Sequence, residues 1–352
     1  MIEKTGRASV LSIYADLFRH RDGVFPNTVA IGYALAGYVL ALFLLAGHGI
    51  GFLLGIVLLA HSLVIAAYLI HECSHGSLFR EQRHHAWLAR ILSWLTGACY
   101  GDVDRIRDKH LRHHFERADI VAVDYRRFLT RRPVLRRAVL LGQYCGLPAV
   151  ELLMHGLVVV RPLLGQGTGH DRRRVLGVML VRALFFAALA ALGGWMLLLG
   201  YAAAYLVFLS VLGFMDSFQH RYLLLTGLDA GRAESPTRDT GRFPTGYFSR
   251  QYEDQHTYSN LLSARWPRLN LLVLNFAYHN VHHQKPMEPW YRLPALHRDA
   301  IAGGEPVQEL PIGQQVRDYW RYRVARVMAP ATDSLDSSAN IGAAGVSFLT
   351  PL

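Results

Sequence analysis

The sequence predicts an all-α integral membrane protein whose long apolar helices carry a histidine-rich, metal-binding cap on one face. Three observations lead there. Four long stretches are almost free of charge, the basic residues are segregated from them, and histidines recur at helical spacing where those stretches end and between them. Hydrophobic residues make up 52% of the 352 positions while the formal net charge is +11. Apolar and basic content must therefore occupy different places instead of sharing one soluble core.

Residues 1–27 read as a cytoplasmic N-terminal segment, and their Arg, Asp and Pro content leaves no apolar core for a cleavable signal peptide. Residues 28–47 and 49–70 are uncharged runs, each about 20 residues long and so able to cross a hydrocarbon layer of about 30 Å. Their short link predicts a hairpin. A second hairpin is expected from 175–199, which carries only Arg182, and 200–218, which carries only Asp216, with Gly193, Gly194 and Gly200 marking the turn zone. Between the hairpins, residues 87–100 and 134–164 are apolar but interrupted by Arg90, Arg136, Arg137, Pro148 and Glu151. That pattern predicts helices lying at the interface. Residues 28–330 thus form one membrane domain with four long transmembrane helices in two hairpins. Residues 331–344 are rich in Ser, Ala and Gly, and 331–352 is expected to be a disordered tail.

Charge asymmetry sets the orientation. The links near His48 and Gly200 hold no Lys or Arg, whereas Arg7, Arg19 and Arg21 precede the first span and basic residues crowd the segments after the second and fourth. The positive-inside rule then places both termini and all histidine clusters on the cytoplasmic side of a multi-pass protein, expected in the cell inner membrane.

The clusters are His71/His75 (HECSH), His110/His113/His114 (HLRHH) and His279/His282/His283 (HNVHH), with His220 (FQHRY) ending the fourth span. Residues three and four apart share a helix face, so each cluster directs imidazoles toward a common point. A lone histidine is ordinarily a surface or hydrogen-bonded core residue. An HxxHH arrangement, however, should arise by chance only roughly 0.05 times in a chain of this composition, and here there are two. Cys73, Cys99 and Cys145 are too scattered for a thiolate site or a disulfide framework. Cys73 reads as a packing residue, His84 and His85 as interfacial, and His256 falls outside the ligand set.

HECSHG at the end of a hairpin, HLRHH about 35 residues on and YHNVHHQKPMEPWYRLPALH after a second hairpin resemble the membrane fatty acid desaturase superfamily, whose order of boxes covers roughly residues 28–297. The resemblance implies a histidine-rich, non-haem di-iron centre at the cytosolic ends of four helices, using O2 and two electrons to attack an unactivated C–H bond. It also implies a ligand after the fourth span, the place of His220, with Asp216 one turn before it. Imidazole suits iron, and a single zinc closes with four ligands, which would leave half of these histidines unexplained. The expected metal ligands are His71, His75, His110, His113, His114, His220, His279, His282 and His283, oriented by carboxylates among Asp216, Glu72, Asp108 and Asp254.

Desaturation of a fatty acyl chain is the expected reaction. Hydroxylation, ketone formation and decarboxylation of a free fatty acid to a terminal alkene are alternatives on the same centre. Tyr68, Phe79, Trp94, Phe214, Phe218 and Phe276 are candidates for the wall of a chain-binding tunnel. GQGTGH at 165–170 lacks the spacing of a nucleotide-binding loop, and no flavin, nicotinamide or haem motif is present. Electrons are therefore expected from a separate carrier, ferredoxin or rubredoxin-like with its reductase, steered by the basic face. Nucleic-acid binding is not expected, because the basic residues flank membrane segments. A metal transporter would place ligands near the bilayer midplane, whereas these clusters fall at span ends.

Overall fold

The computed structural model describes residues 10–222, 225–228, 249–328 and 349–350. After a short helix α1 (Val10–Leu17) and a 3₁₀ turn, two long helices run antiparallel, α2 (Val24–Leu45) and α3 (Ile50–His75). Small residues let them approach closely. A Cβ on Gly37 would lie 2.5 Å from Ser62 Oγ, and one on Gly55 would lie 2.9 Å from the Leu45 backbone nitrogen. The C-terminal half of α3 is buried on every side, which makes it the central post of the molecule. It stops at Gly76, whose φ of 69° suits glycine and closes the helix by donation from its N–H to Cys73 O.

Helices α4 (Gln82–Thr96) and α5 (Val103–Glu116) follow, then strand β1 (Asp119–Val121) and helices α6 (Tyr125–Thr130), α7 (Pro133–Tyr144) and α8 (Ala149–Leu163). Asp102 caps α5 by accepting from Asp104 N–H at 2.9 Å. The longest helical stretch, α9 (Gly169–Asp216), begins at a reciprocal capping box between Thr168 and Asp171. Beyond it come β2 (Leu225–Gly227), α10 (Arg250–His256), a 3₁₀ strap (Pro267–Val273), α11 (His279–Gln284), α12 (Leu293–Ala302), α13 (Ile312–Tyr322) and α14 (Ala325–Met328). Strands β1 and β2 form a two-stranded parallel sheet pairing Asp119 with Leu225 and Val121 with Gly227, which ties the chain after α5 to the chain after α9.

Helix α9 is not straight. Gly194 has φ 66° and ψ −169°, outside the helical region, and the rings of Phe186 and Tyr201 lie 5.3 Å apart. In a continuous helix those positions would be separated by about 22 Å, so the chain folds back at Gly194. The sequence reading put the boundary between the two apolar arms at residues 199 and 200. The turn instead takes the glycine that adopts positive φ, while Gly200 sits within the returning arm, where a Cβ would meet Leu45 at 2.6 Å and Phe52 at 2.8 Å. Both arms pack on the α4 end, since Arg182 donates to Trp94 O and Tyr205 donates to Thr96 O.

Among the described residues, the continuous stretch Arg21–Leu45, α3 and α9 are the three helices long and apolar enough to cross a membrane. Of the tail expected to be disordered, residues 331–348 and 351–352 lie outside the described residues. Leu349 and Thr350 are buried, and Thr350 Oγ1 lies 3.5 Å from Lys109 Nζ.

A bulky residue at the close crossing should be costly. Gly200→Val is expected to destabilise the protein by roughly 1–3 kcal/mol through overpacking, whereas Gly32→Val, with no atom within 4 Å of its Cβ, should stay within about 0.5 kcal/mol. Paired denaturation curves in detergent check the contrast.

Candidate metal centre

Four segments deliver the histidines. The last turns of α3 carry His71 and His75, α5 carries His110, His113 and His114, α11 carries His279, His282 and His283, and His220 follows α9. His220 is held in register by an antiparallel bridge to Thr257 and by the β1–β2 pairing one segment on.

These side chains form two groups. His71, His75, His110, His114 and His282 converge at one point, and His113, His220, His279 and His283 at another, with ligand nitrogens inside each group all within 4.8 Å of one another. The division follows from helix geometry. Adjacent residues on a helix point about 100° apart, whereas residues four apart share a direction. His110 and His114 therefore serve one group while His113 serves the other. Likewise His279 and His283 join the second group while His282 turns to the first.

Separations within the groups suit a bound cation. His75 Nε2 is 2.5 Å from His110 Nε2, His114 Nε2 is 3.1 Å from His110 Nε2, and His282 Nε2 is 3.2 Å from His114 Nε2. In the other group His220 Nε2 lies 2.9 Å from His113 Nε2 and 2.7 Å from His279 Nε2. Two nitrogens each about 2.1 Å from one metal and at right angles would be about 3.0 Å apart.

Tautomers sharpen the point. His113 Nδ1 donates to Ala118 O at 2.8 Å, and His283 Nδ1 donates to Glu253 Oε1 at 2.9 Å. Neutral rings so fixed present bare Nε2 lone pairs, and among the described residues His283 Nε2 has no hydrogen-bond partner. Facing lone pairs repel unless a cation lies between them. Burial, reinforced by neighbouring imidazoles, pushes His110, His114, His220, His279 and His283 well below the ordinary histidine range. Burial also lowers His113 to about 4 and His282 to about 3. All seven are thus neutral and competent to ligate near pH 7. A donor set of five and four imidazole nitrogens, with no thiolate among them, fits two borderline transition-metal ions.

The carboxylates expected to orient the rings occupy different places. Glu72 is buried, accepts from Ser77 Oγ at 2.7 Å and from Trp290 N–H at 3.1 Å, and sets Oε1 3.4 Å from His71 Nδ1. Asp254 pairs with Arg250 at 3.3 Å, and Asp108 is exposed. Asp216 lies in the electrostatic field of Lys109, whose ammonium is pushed down to about 7 by burial against the opposing pull of Asp216 and Asp119. Glu253 was missed by the sequence reading. It is buried, holds His283, and is itself held by Arg117 at 3.1 Å and Arg250 at 3.5 Å. Its only signal in the sequence is its place beside Asp254 in QYEDQH, where one residue of helical phase decides which carboxylate faces the cluster.

The remaining candidates lie outside both groups. Cys73 is buried in the helical core. His85 accepts from Phe79 N–H at 2.9 Å and shows Nδ1 to Glu81 O at 3.2 Å, a local structural role. His256 donates to Tyr252 O at 2.8 Å and stacks on the Tyr252 ring. Of the proposed tunnel aromatics, Phe276 stands edge-on to His71 at 4.7 Å and stacks on Tyr68 at 4.4 Å.

Residues 48–312 match the sequence model of the family described as Fatty acid desaturase. No curated protein matches the chain.

Glu253→Gln removes the charge that orients His283 and should weaken divalent-metal binding roughly 10–100-fold. Asp254→Asn should leave it unchanged. Metal retained after graded chelation, measured by elemental analysis, separates the two.

Proposed function

The chain belongs to the fatty acid desaturase family, and from that premise we propose that it is a membrane-bound di-iron oxidoreductase that uses O2 to attack an unactivated C–H bond of a lipid, desaturating a fatty acyl chain. Family membership implies an oxidoreductase, and the chain carries long apolar helices and clustered histidines. The observation that carries the finer reading is the division of the three boxes and His220 into two convergent imidazole groups. One iron is assigned to His71, His75, His110, His114 and His282, the other to His113, His220, His279 and His283. Bound iron, with O2 and two electrons, supplies the power to remove hydrogen from an unactivated alkyl carbon.

The protein's own groups hold and shield that chemistry. Glu253 keeps the His283 proton on Nδ1, the Ala118 carbonyl does the same for His113, and Glu72 positions His71. The apolar wall of Tyr68 and Phe276 excludes water beside His71. Desaturation, hydroxylation, ketone formation and decarboxylation differ in which C–H bond is presented, and a displacement of about an ångström decides among them.

We read α2, α3 and the two arms of α9 as four spans in two hairpins, with α4, α7 and α8 at the interface. The reversal at Gly194 supports the second hairpin. The scarcity of basic residues near His48 and Gly200 supports a cytoplasmic face for the site and both termini in the inner membrane. A separate ferredoxin or rubredoxin-like carrier with its reductase is the proposed electron source, drawn to the basic face.

Mass-spectrometric profiles of lipids, free fatty acids and headspace volatiles from cells with and without the gene read the reaction directly. Replacing any of the eight box histidines by Ala should abolish the product and lower bound iron, His220→Ala should be nearly as damaging, and His85→Ala mild. Full activity in several box variants would overturn the assignment.

A further inference from the structure

Two apolar grooves open along the long apolar helices, one on each side of the 3₁₀ strap. One, of about 600 Å³, runs between α3 and the returning arm of α9, with Ala60, Val64, Val211 and Val273 in its wall. The other, of about 570 Å³, lies between α2 and the strap, with Val29, Ile65 and Leu271 in its wall. Both fall within the range of small-molecule sites, roughly 300–1,000 Å³. The strap's own Leu269, Leu271 and Leu272 are exposed, as residues facing lipid would be.

A single side chain belongs to both grooves, His61. Its Nε2 donates to Leu272 O at 3.0 Å, because a carbonyl can only accept, which leaves Nδ1 to accept from Tyr33 OH at 2.5 Å. A histidine in the middle of an apolar helix is costly and calls for a role. This one fastens the strap to α2 and α3 across the line where the grooves would otherwise join.

The strap leads straight to the metal centre. It ends at Leu274 and Asn275, two consecutive non-glycine residues with φ of 49° and 57°, a left-handed conformation that costs free energy. The next residue, Phe276, stacks on Tyr68 and meets His71 edge-on. Tyr68 lies one helical turn beyond the groove residue Val64, and among the described residues its buried hydroxyl has no hydrogen-bond partner. From Val64 to His71 is about 10 Å along α3.

We propose that the paired grooves are a lateral port through which one unbranched hydrocarbon chain passes from the bilayer toward the metal centre, and that His61 is the latch holding the strap across it. The inference rests on the lipid-oxidation reading for its purpose, though not for its test. Hydrocarbon fits because the walls are apolar and belong to helices long and apolar enough to cross a membrane, and the Tyr68 hydroxyl, without a hydrogen-bond partner among the described residues, lies between the grooves and His71.

The test uses the full-length protein, purified with its metal, in phosphatidylcholine vesicles containing a long-chain fatty acid with a mid-chain diazirine. Peptide mapping after illumination should find label on the strap and on the 206–211 segment of α9 that is saturable and competed by unlabelled fatty acid. Label on Leu53 and Leu54, exposed on α3, should resist competition. Ala60→Trp should remove the saturable label while bound iron is unchanged. His61→Phe should speed groove labelling by roughly tenfold, the scale of losing one or two hydrogen bonds. Tyr33→Phe, a milder change less prone to misfolding, should act in the same direction. Uncompeted groove label, or label indifferent to Ala60→Trp, overturns the port. Unchanged labelling rates in intact His61 and Tyr33 variants overturn the latch. Photolabelling needs no turnover, so a labelled port without lipid oxidation would sink the catalytic reading alone.

Discussion

Eight buried imidazoles and the half-buried ring of His113 converge on two points, an arrangement that positive charge at those points would stabilise, and the rest of the fold serves that convergence. Burial keeps the rings neutral and bare of solvent, so their lone pairs, some under 3 Å apart, would repel without a cation between them. Metal binding at the proposed centre would be part of folding, because ions that complete the site would relieve the cost of assembling it. The end of α3, the whole of α5, the short α11 and the segment after α9 must all terminate at one level for this to work. The glycine-lined helix crossings, the Gly194 reversal and the β1–β2 pairing are the local devices that bring them there.

The adjacent histidines in two of the boxes explain how so few elements serve two centres. A helix presenting ligands only four apart would feed one site. Adding the neighbour of one ligand, 100° around the axis, makes α5 and α11 each contribute to both. The two groups are consequently coupled through rigid helical segments instead of through independent loops, and a shift of α5 or α11 moves ligands of both at once. That rigidity suits chemistry whose outcome depends on small displacements.

Much of this was legible in the sequence because it depends on periodicity. The boxes and the apolar stretches follow from spacing, and Cys73, His85 and His256 lie outside the two imidazole groups as the sequence pattern indicates. Less legible were features set by packing. Whether Gly194 or Gly200 turned the chain depended on which was needed for backbone conformation and which for close approach, and only the neighbours Leu45 and Phe52 decide that. The choice of Glu253 over Asp254 depended on the phase of α10 against Arg117, which lies 136 residues away in sequence. Asp216, singled out as a charge on an apolar span, has Lys109 as its electrostatic counterpart. That pairing arises from the approach of α5 to α9, which no local pattern encodes.

The same distinction separates oxidant from substrate. Metal ligation needs residue types at fixed spacing, so it leaves a strong trace in one dimension. A path for a hydrocarbon chain needs only apolar surface, and apolar surface is what every membrane helix already displays. A groove residue such as Val64 or Val211 is therefore indistinguishable in sequence from any other apolar residue of a long apolar helix. What betrays a path is a polar group where none is needed for folding in lipid. His61 joins the strap to two helices in an apolar environment, and Tyr68 buries a hydroxyl without a partner among the described residues, one turn from His71. Each exception is costly on its own, and their placement along one face of α3, with Leu274 and Asn275 at positive φ beside them, concentrates those costs on the proposed path from the grooves to the histidine groups.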